Sequence, residues 1–372
     1  KKYTWESVWS LPPEKMLGYI NGIIFPHFAE TFGNNCGFFK GGLKIRNSLH
    51  LAHIISKLSS LTFMNRNADI KGDALEYFIK NSVSLGNDLG EYYTPRHIVE
   101  LITDLIDPEP GEHLYDPCCG TGGFLIHAIR HIKKKVLSRR AEECEIHLHG
   151  REISETAKIA VMNLILTGKK HVDIIQTDSL QHPVDAQFDV VLTNFPFSQK
   201  TRYGYLYHYS THDGNPIFLQ HVINSLKPGG RAGVVVPDGL LFDKSTDYIK
   251  IRRNLLETCS LTAVIQLDSF VFKPYTGQPT SILIFTKGNP TRDVWFFDVR
   301  YDGLKKTGSK KGRPVSPDND LPLLRRVWKN KVTSSQSFTI NIPRIRENNY
   351  TLTMNTYKPS QHYSVPVKRI GE

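Results

Sequence analysis

The spacing of apolar residues divides the chain into regions of different secondary structure. Up to about residue 88, apolar side chains recur at helical intervals, for example at Ile54, Leu58 and Leu61. Such spacing is typical of amphipathic helices. We therefore predict a helical N-terminal domain over residues 1–88.

Between residues 89 and 300, short apolar runs alternate with helical patterns. The runs predict strands at 113–115, 145–149, 172–176, 188–193, 231–236, 261–267 and 281–286. Helices are predicted between them at 96–106, 123–135, 154–167 and 217–226. This alternation predicts an α/β domain with a mostly parallel sheet, and the last two strands, which lack a long helix between them, predict an antiparallel hairpin at one edge. Residues 301–372 are predicted to be a C-terminal extension in which 302–320 is an exposed loop.

Composition narrows the functional classes. The chain has 372 residues, of which 40% are hydrophobic and 22% charged, and this ordinary globular mix excludes a disordered or fibrous chain. No apolar run reaches the roughly 18 residues that a membrane-spanning helix needs, so we expect no membrane partner. Lys and Arg number 47 against 36 Asp and Glu, a net charge of +11. This excess favours a nucleic-acid partner over a generally basic surface, and basic runs such as 133–135 are either solvated faces or phosphate contacts.

The cysteines indicate the compartment. Five cysteines are scattered along the chain with no C-x-x-C pair, which favours a reducing cytoplasm. His147 and His149 have no second pair of ligands near them, so we expect no metal site. The chain does not begin with Met, and we expect it to be a fragment of a longer protein.

A glycine-rich turn follows the first predicted strand. The strand ends at Asp116, and an apolar helix follows the turn, which contains Gly120, Thr121, Gly122 and Gly123. Glycines allow the backbone to approach a ligand closely, and a helix start offers free N–H groups. Neither the phosphate-loop pattern G-x-x-x-x-G-K-[ST] nor the dinucleotide pattern G-x-G-x-x-G is matched. The turn therefore predicts a cofactor cradle in which Asp116 suits an ammonium group.

Acidic residues also follow the next two predicted strands. Glu152 suits the hydroxyls of a ribose, and Asp178, with Ser179 beside it, suits an adenine amino group. Ligands of open α/β sheets bind at the carboxyl ends of the strands. An ammonium, a ribose and an adenine in this order predict S-adenosylmethionine as the cofactor. The alternative is that Glu152 and Asp178 are helix caps or surface acids.

The fourth predicted strand ends in a tetrapeptide that carries a family resemblance. It reads Asn194, Phe195, Pro196 and Phe197. The chain resembles amino-group methyltransferases with the motif Asn/Asp-Pro-Pro-Tyr/Phe, and more narrowly the modification (M) subunits of type I restriction-modification systems. The resemblance covers most of the chain and includes the segments 90–96, 226–231, 237–242 and 274–277.

This resemblance implies a Rossmann-like class I methyltransferase fold with a mostly parallel seven-stranded sheet. It implies methyl transfer from S-adenosylmethionine to adenine N6 in duplex DNA. The side-chain oxygen of Asn194 and the carbonyl of Phe195 would accept the protons of the target amine, and Phe197 would stack on a base flipped out of the duplex. Pro196 would hold the residue before it extended.

The same resemblance assigns further cofactor contacts and partners. Together with Asp116, one segment would hold the methionine end of the cofactor: Glu91, Tyr92, Tyr93, Thr94, Pro95 and Arg96. A separate specificity subunit would read the target sequence, and one such subunit with two M chains would form the methylase. A restriction subunit would complete the full complex. Thr94 and Pro95 also fit a helix start, with Thr94 as the N-cap.

Phe195 departs from the family pattern, in which Pro is usual. Only the backbone carbonyl is needed at this position, so the acceptor is retained. Three alternatives stay open: a cytosine-N4 DNA methyltransferase, a methyltransferase of RNA or of protein glutamine, and an inactive scaffold that binds DNA or partners.

Overall fold

A computed structural model describes residues 2–32, 39, 41–59, 94–136, 146–169, 171–274, 276–307 and 313–358. The described residues of the N-terminal part, 2–32, 39 and 41–59, are mostly helical. Its α-helices are α1 (Trp5–Trp9), α2 (Pro13–Tyr19), α3 (Phe25–Phe32) and α4 (Ser48–Ser59), with a π-helical turn at Ile20–Ile24. These helices bury a small core of their own, formed by Val8, Met16, Ile24, Leu51 and Ile55.

The rest of the described chain is built on a nine-stranded sheet. Its strands are β1 (His113–Asp116), β2 (His147–Glu152), β3 (Asp173–Gln176), β4 (Phe188–Asn194), β5 (Leu226–Pro237), β6 (Cys259–Leu267), β7 (Thr280–Lys287), β8 (Asp293–Val299) and β11 (Ser337–Asn341). Two short strands, β9 (Asp302–Leu304) and β10 (Val315–Asn319), form a separate antiparallel pair.

The strand order identifies the fold. The sheet runs β11-β8-β6-β7-β5-β4-β1-β2-β3. Strands β5, β4, β1, β2 and β3 are parallel, whereas β7 is antiparallel to both β5 and β6. The seven strands from β6 to β3 form the predicted Rossmann-like arrangement. The predicted β6–β7 hairpin is present, but it does not lie at the edge, because β8 and β11 extend the sheet beyond β6.

Helices connect and cover these strands. The α-helices are α5 (Arg96–Ile106), α6 (Gly123–Lys135), α7 (Thr156–Leu166), α8 (Gly214–Ser225), α9 (Gly239–Phe242), α10 (Thr246–Thr258), α11 (Leu321–Val327) and α12 (Ile342–Glu347). Short 3₁₀ turns lie at Ser179–Gln181, Gly204–Leu206 and Met354–Thr356. Helices α5 and α6 have the predicted bounds, and α7 and α8 differ from the prediction by one to three residues. None of the helices in the described residues is long and apolar enough to cross a membrane.

The segment 302–320 was predicted to be an exposed loop. Most of its described residues are exposed or partly exposed, but the prediction of a loop is wrong, because β9 and β10 form an antiparallel pair there. Asp302 is buried, and its carboxylate accepts two hydrogen bonds from the Arg313 guanidinium at 2.6 and 2.8 Å. This bidentate pair holds β9 against β10. Because the pair joins residues eleven apart in a polar stretch, local composition does not indicate it.

Packing around β4 fixes the positions of the carboxyl ends of strands β1 to β4, which lie side by side. Val190, Val191 and Leu192 are fully buried, as expected for a parallel strand that is covered on both faces. Helix α5 lies directly over the sheet, because a Cβ at Gly233 would come within 2.5 Å of Ile102 Cγ2. With α5 packed this closely on the sheet, the start of the helix lies near the end of β4.

Candidate active site

Polar side chains collect where four adjacent strands end. Asp116 is the last residue of β1, Glu152 of β2 and Asn194 of β4, while Asp178 follows β3 by two residues. These strands lie side by side in the order β4-β1-β2-β3. The four side chains therefore follow one edge of the sheet, as the sequence predicts.

The glycine-rich turn lies between β1 and α6. Gly120 and Gly122 have φ values of 50° and 84°, in the left-handed region that L side chains rarely adopt. Gly123 is the first residue of α6, and the carbonyl of Thr121 accepts a hydrogen bond from Asn163 Nδ2 at 2.9 Å. The hydrogen bond from Asn163 on α7 thus holds the turn in place, with its backbone close to the strand ends.

Backbone N–H groups fix the carboxylate of Glu152. The N–H of Gly120 donates to Oε2 at 3.0 Å, and that of Ser154 donates to Oε1 at 2.9 Å. A carboxylate oxygen can accept more than one hydrogen bond, so both oxygens keep acceptor capacity. Glu152 is therefore oriented toward the glycine turn by the fold itself.

Asp116 is buried at the base of the same turn. Burial raises its pKa to about 7, and the charge of Glu152 acts in the same direction. The N–H of Cys118, which donates to Oδ1 at 3.0 Å, lowers the pKa and opposes these effects. Asp116 is thus an acid whose ionisation becomes favourable when a cation lies beside it.

Asp178 and Ser179 begin the 3₁₀ turn after β3. Asp178 Oδ1 accepts a hydrogen bond from the N–H of Leu180 at 3.0 Å, and Ser179 is buried. Asp178 is therefore a cap, which was one of its two predicted roles. It also lines an open pocket of about 500 Å³ together with Lys200, Thr201, Arg202, Tyr203 and His212.

The nitrogen and the oxygen of the Asn194 side-chain amide differ in their hydrogen bonding. Its Nδ2 donates to Thr94 Oγ1 at 2.9 Å. Its Oδ1 is buried and has no hydrogen-bond partner among the residues that the structure describes. Leaving a buried acceptor unpaired costs about 1–3 kcal/mol, so an acceptor of this kind is a candidate for binding a ligand's N–H.

The aromatic residues of the tetrapeptide face the core. Phe195 stacks on Phe218 of α8 with ring centroids 5.1 Å apart, and Phe197 meets Phe195 edge-on at 6.2 Å. Both rings are at most 2% exposed. The side chain of Phe195, which stands where Pro is usual, therefore packs in the hydrophobic core. Stacking of Phe197 on a base stays a prediction, and the ring must first leave this packing.

The predicted methionine-binding segment is described only in part. Glu91, Tyr92 and Tyr93 lie outside the described residues. Pro95 is the N-cap of α5 and Arg96 its first residue. The prediction that Thr94 caps the helix is wrong, because its hydroxyl accepts the hydrogen bond from Asn194 instead.

Two further features of this region were not predicted. Ile153, an apolar residue that follows Glu152 directly, is 68% exposed. A buried chain of hydrogen bonds also joins β1 to the 3₁₀ turn after β3. The Tyr115 hydroxyl lies 3.0 Å from His221 Nε2, and His221 Nδ1 lies 2.9 Å from the Tyr207 hydroxyl. The Tyr207 hydroxyl in turn donates to the carbonyl of Leu180 at 3.2 Å. Burial lowers the pKa of His221 to about 4, which keeps the ring neutral. The sequence signal for Ile153 is an isoleucine directly after an acid that ends a strand. The hydrogen-bonded chain joins residues far apart in the sequence, so no local pattern predicts it.

Comparisons with known proteins agree with this geometry. The sequence model of the family described as N-6 DNA Methylase matches residues 66–364. The EcoEI methylase subunit of a type I restriction enzyme from Escherichia coli is 33% identical over 339 residues, which cover 84% of this chain and 69% of the relative. A solved modification subunit of a putative type I restriction enzyme from Vibrio vulnificus YJ016 is 26% identical, with a TM-score of 0.77 over 87% of this chain and 72% of the other.

A further solved chain comes from work on complex assembly in the type I restriction-modification system. It is 26% identical with a TM-score of 0.75, over 99% of this chain and 81% of the other. The chain spans 62% to 69% of the length of four type I methylase subunits that it matches. These comparisons confirm the predicted family and the predicted fold.

Proposed function

The chain belongs to the N-6 DNA methylase family, and from this premise we propose that it transfers a methyl group from S-adenosylmethionine to adenine N6 in duplex DNA. We propose that it does so as the modification subunit of a type I restriction-modification system. The observation that carries the proposal is the Oδ1 of Asn194 at the end of β4, which is buried and has no hydrogen-bond partner within the described part of the chain.

An exocyclic amine of a base requires such an acceptor. Its lone pair is delocalised into the ring, which makes the nitrogen a poor nucleophile. Asn194 Oδ1 would accept one of the amine protons and favour a lone pair directed at an incoming methyl group. The nitrogen–carbon bond forms as the sulfur–carbon bond breaks, and one proton then leaves the nitrogen for solvent. No covalent enzyme intermediate is needed, so orientation and electrostatics supply the catalysis.

The residues of the strand ends fit the proposed cofactor. Asp116, with a pKa near 7, would pair with the ammonium of the methionine part. Glu152, whose carboxylate is already oriented by two backbone N–H groups, would accept the ribose hydroxyls. Ile153 offers an exposed apolar surface for the adenine ring, and Asp178 lies at the next strand end for its amino group. Bound S-adenosylmethionine would supply the electrophilic methyl group.

Partners follow from the relatives rather than from the fold. The relatives are methylase subunits of type I restriction enzymes, and one structural neighbour comes from an assembled type I system. We therefore propose a specificity subunit, a second copy of this chain and a restriction subunit as partners. The net charge of +11 supports DNA as the substrate over a protein glutamine.

The packing of Phe195 bears on the alternative of an inactive scaffold. Its ring stacks on Phe218 inside the core, and the residue is 1% exposed. The substitution of the usual Pro therefore leaves the acceptor of Asn194 in place. This packing favours a working enzyme.

Mass spectrometry of nucleosides from plasmid DNA tests the proposal. The plasmid carries the full-length gene with its chromosomal neighbours in a host without DNA methylation. We expect N6-methyladenine with the wild type, none with Asn194→Ala, and wild-type levels with Asn254→Ala, which alters a partly exposed asparagine on α10. The Asn194→Ala protein should still bind S-adenosylmethionine within a few-fold of the wild type.

Other outcomes would change the assignment. N4-methylcytosine instead of N6-methyladenine would move the target to cytosine. Unmethylated DNA from a protein that binds the cofactor would move the substrate to RNA or protein. A protein that neither methylates DNA nor binds the cofactor would be a scaffold.

A further inference from the structure

The hydrogen bond between Thr94 and Asn194 joins two segments that are 100 residues apart. It uses only the nitrogen end of the Asn194 amide, with Nδ2 2.9 Å from Thr94 Oγ1. The oxygen end stays buried and unpaired among the described residues. We propose that Thr94 is a positioning residue, which holds the Asn194 amide so that its oxygen faces the target amine.

The chemistry of a primary amide makes such a tie necessary. The terminal torsion of an asparagine is broad, so an untethered amide rotates freely about it. An amide that turns its nitrogen toward the target presents N–H to N–H, and neither group can accept. With the target amine on the oxygen side, the Thr94 hydroxyl accepts from Nδ2, and both the nitrogen and the oxygen of the Asn194 amide are hydrogen-bonded.

Thr94 is well supported for this role. It precedes α5, whose first turn is anchored because His97 Nε2 lies 3.0 Å from the buried carboxylate of Asp302. The last turn of α5 is anchored as well, because Arg231 Nε donates to the carbonyl of Ile106 at 2.7 Å. A helix that is fixed at both ends gives the hydroxyl a fixed place, as a positioning group requires.

This inference rests on the proposed methyl transfer and replaces an earlier expectation about the same residue. The sequence resemblance predicts that Thr94 helps to hold the methionine end of the cofactor. A cofactor contact and an Asn194 contact affect different quantities. Loss of the first weakens cofactor binding, whereas loss of the second lowers kcat and leaves cofactor affinity unchanged.

The test compares three variants of the full-length protein, purified together with the proposed specificity subunit. Thr94→Val removes the hydroxyl while it keeps the branched shape, and Thr94→Ser restores the hydroxyl. Thr103→Val is the matched control, because it removes a buried hydroxyl on α5 that donates to the carbonyl of Val99. Methyl incorporation from labelled S-adenosylmethionine into unmethylated plasmid gives kcat and KM, and calorimetry gives the cofactor Kd.

We expect Thr94→Val to lower kcat by about 10- to 100-fold, the range that follows when a reacting group is misoriented. Cofactor Kd should stay within about two-fold, while Thr94→Ser and Thr103→Val should retain kcat within about three-fold. The melting temperatures of all three variants show whether each one is folded.

Three results would overturn the inference. If Thr94→Val methylates at the wild-type rate, the hydroxyl does not position Asn194. If Thr94→Val weakens cofactor binding and leaves kcat unchanged at saturation, Thr94 belongs to the cofactor site. A wild-type protein that binds the cofactor and leaves DNA unmethylated would instead overturn the proposed function and this inference together.

Discussion

At the scale of single residues, the buried carboxyl of Asp116 makes cofactor binding depend on pH. Its pKa is raised from 3.8 to about 7 by burial, so the folded protein holds a proton that the unfolded chain has lost. Its contribution to folding is therefore most favourable at low pH and is lost as the pH rises from 3.8 through about 7. A ligand with an ammonium group binds the ionised form and offsets this loss.

We accordingly expect the affinity for S-adenosylmethionine to rise by up to about tenfold between about pH 6 and pH 8, as Asp116 ionises. Calorimetric titrations of the wild type and of Asp116→Asn measure this rise. The variant should bind more weakly at the upper pH and show a much flatter profile. An equally steep rise in Asp116→Asn would assign the titration to another group.

At the scale of elements, one buried arginine connects three segments behind the site. Arg252 on α10 donates hydrogen bonds to the carbonyls of Leu240, Asp243 and Tyr350 at 2.8–3.0 Å. Only 1% of the residue is exposed, and burial lowers its pKa to about 10. The guanidinium therefore ties the chain that follows β5 to the turn at the end of α12.

Replacing this arginine should destabilise the fold strongly. Arg252→Met keeps the aliphatic volume but leaves several carbonyls without donors, so we expect a loss of about 2–4 kcal/mol in the free energy of unfolding. Arg253→Met is the matched control, because Arg253 is exposed and pairs with Glu257 one turn away. That change should leave the free energy of unfolding close to the wild-type value, because exposed ion pairs contribute little. Urea unfolding of both variants makes the comparison, and equal losses would show that the buried hydrogen bonds add nothing.

The elements also show what local sequence can and cannot predict. The bounds of α5 and α6 were predicted because their apolar periodicity is strong and local. Asp116, Glu152 and Asn194 were brought together correctly because parallel strands end at one edge of a sheet. Strands β8 and β11 were not predicted. The run 294–297 of β8 is a local strand signal, whereas the places of β8 and β11 in the sheet depend on pairing across long stretches of chain. The link from Thr94 to Asn194 is of the same long-range kind, and no local pattern signals it.

At the scale of the whole molecule, the net charge of +11 overstates the number of cations that are free to meet DNA. The basic run 133–135 at the end of α6 was predicted to be either a solvated face or a set of phosphate contacts. In the structure, Lys135 pairs with Asp107 and Glu109, and Lys133 donates to the carbonyl of Thr167. Lys306 likewise pairs with Asp268. A moderate number of phosphate contacts is therefore the better expectation.

That number can be measured through the effect of salt on DNA binding. Each phosphate that a protein neutralises releases counterions, so about five contacts predict a slope near −4.5 for log affinity against log salt concentration. Between about 50 and 200 mM salt the affinity for duplex DNA should then fall roughly 500-fold. Cofactor affinity, which depends on buried groups such as Asp116 that are screened far less, should change by less than about threefold over the same range. Fluorescence anisotropy with a labelled duplex and calorimetry with S-adenosylmethionine give the two slopes. A DNA slope near zero would mean that this chain contributes few phosphate contacts and that the positive charge serves another partner.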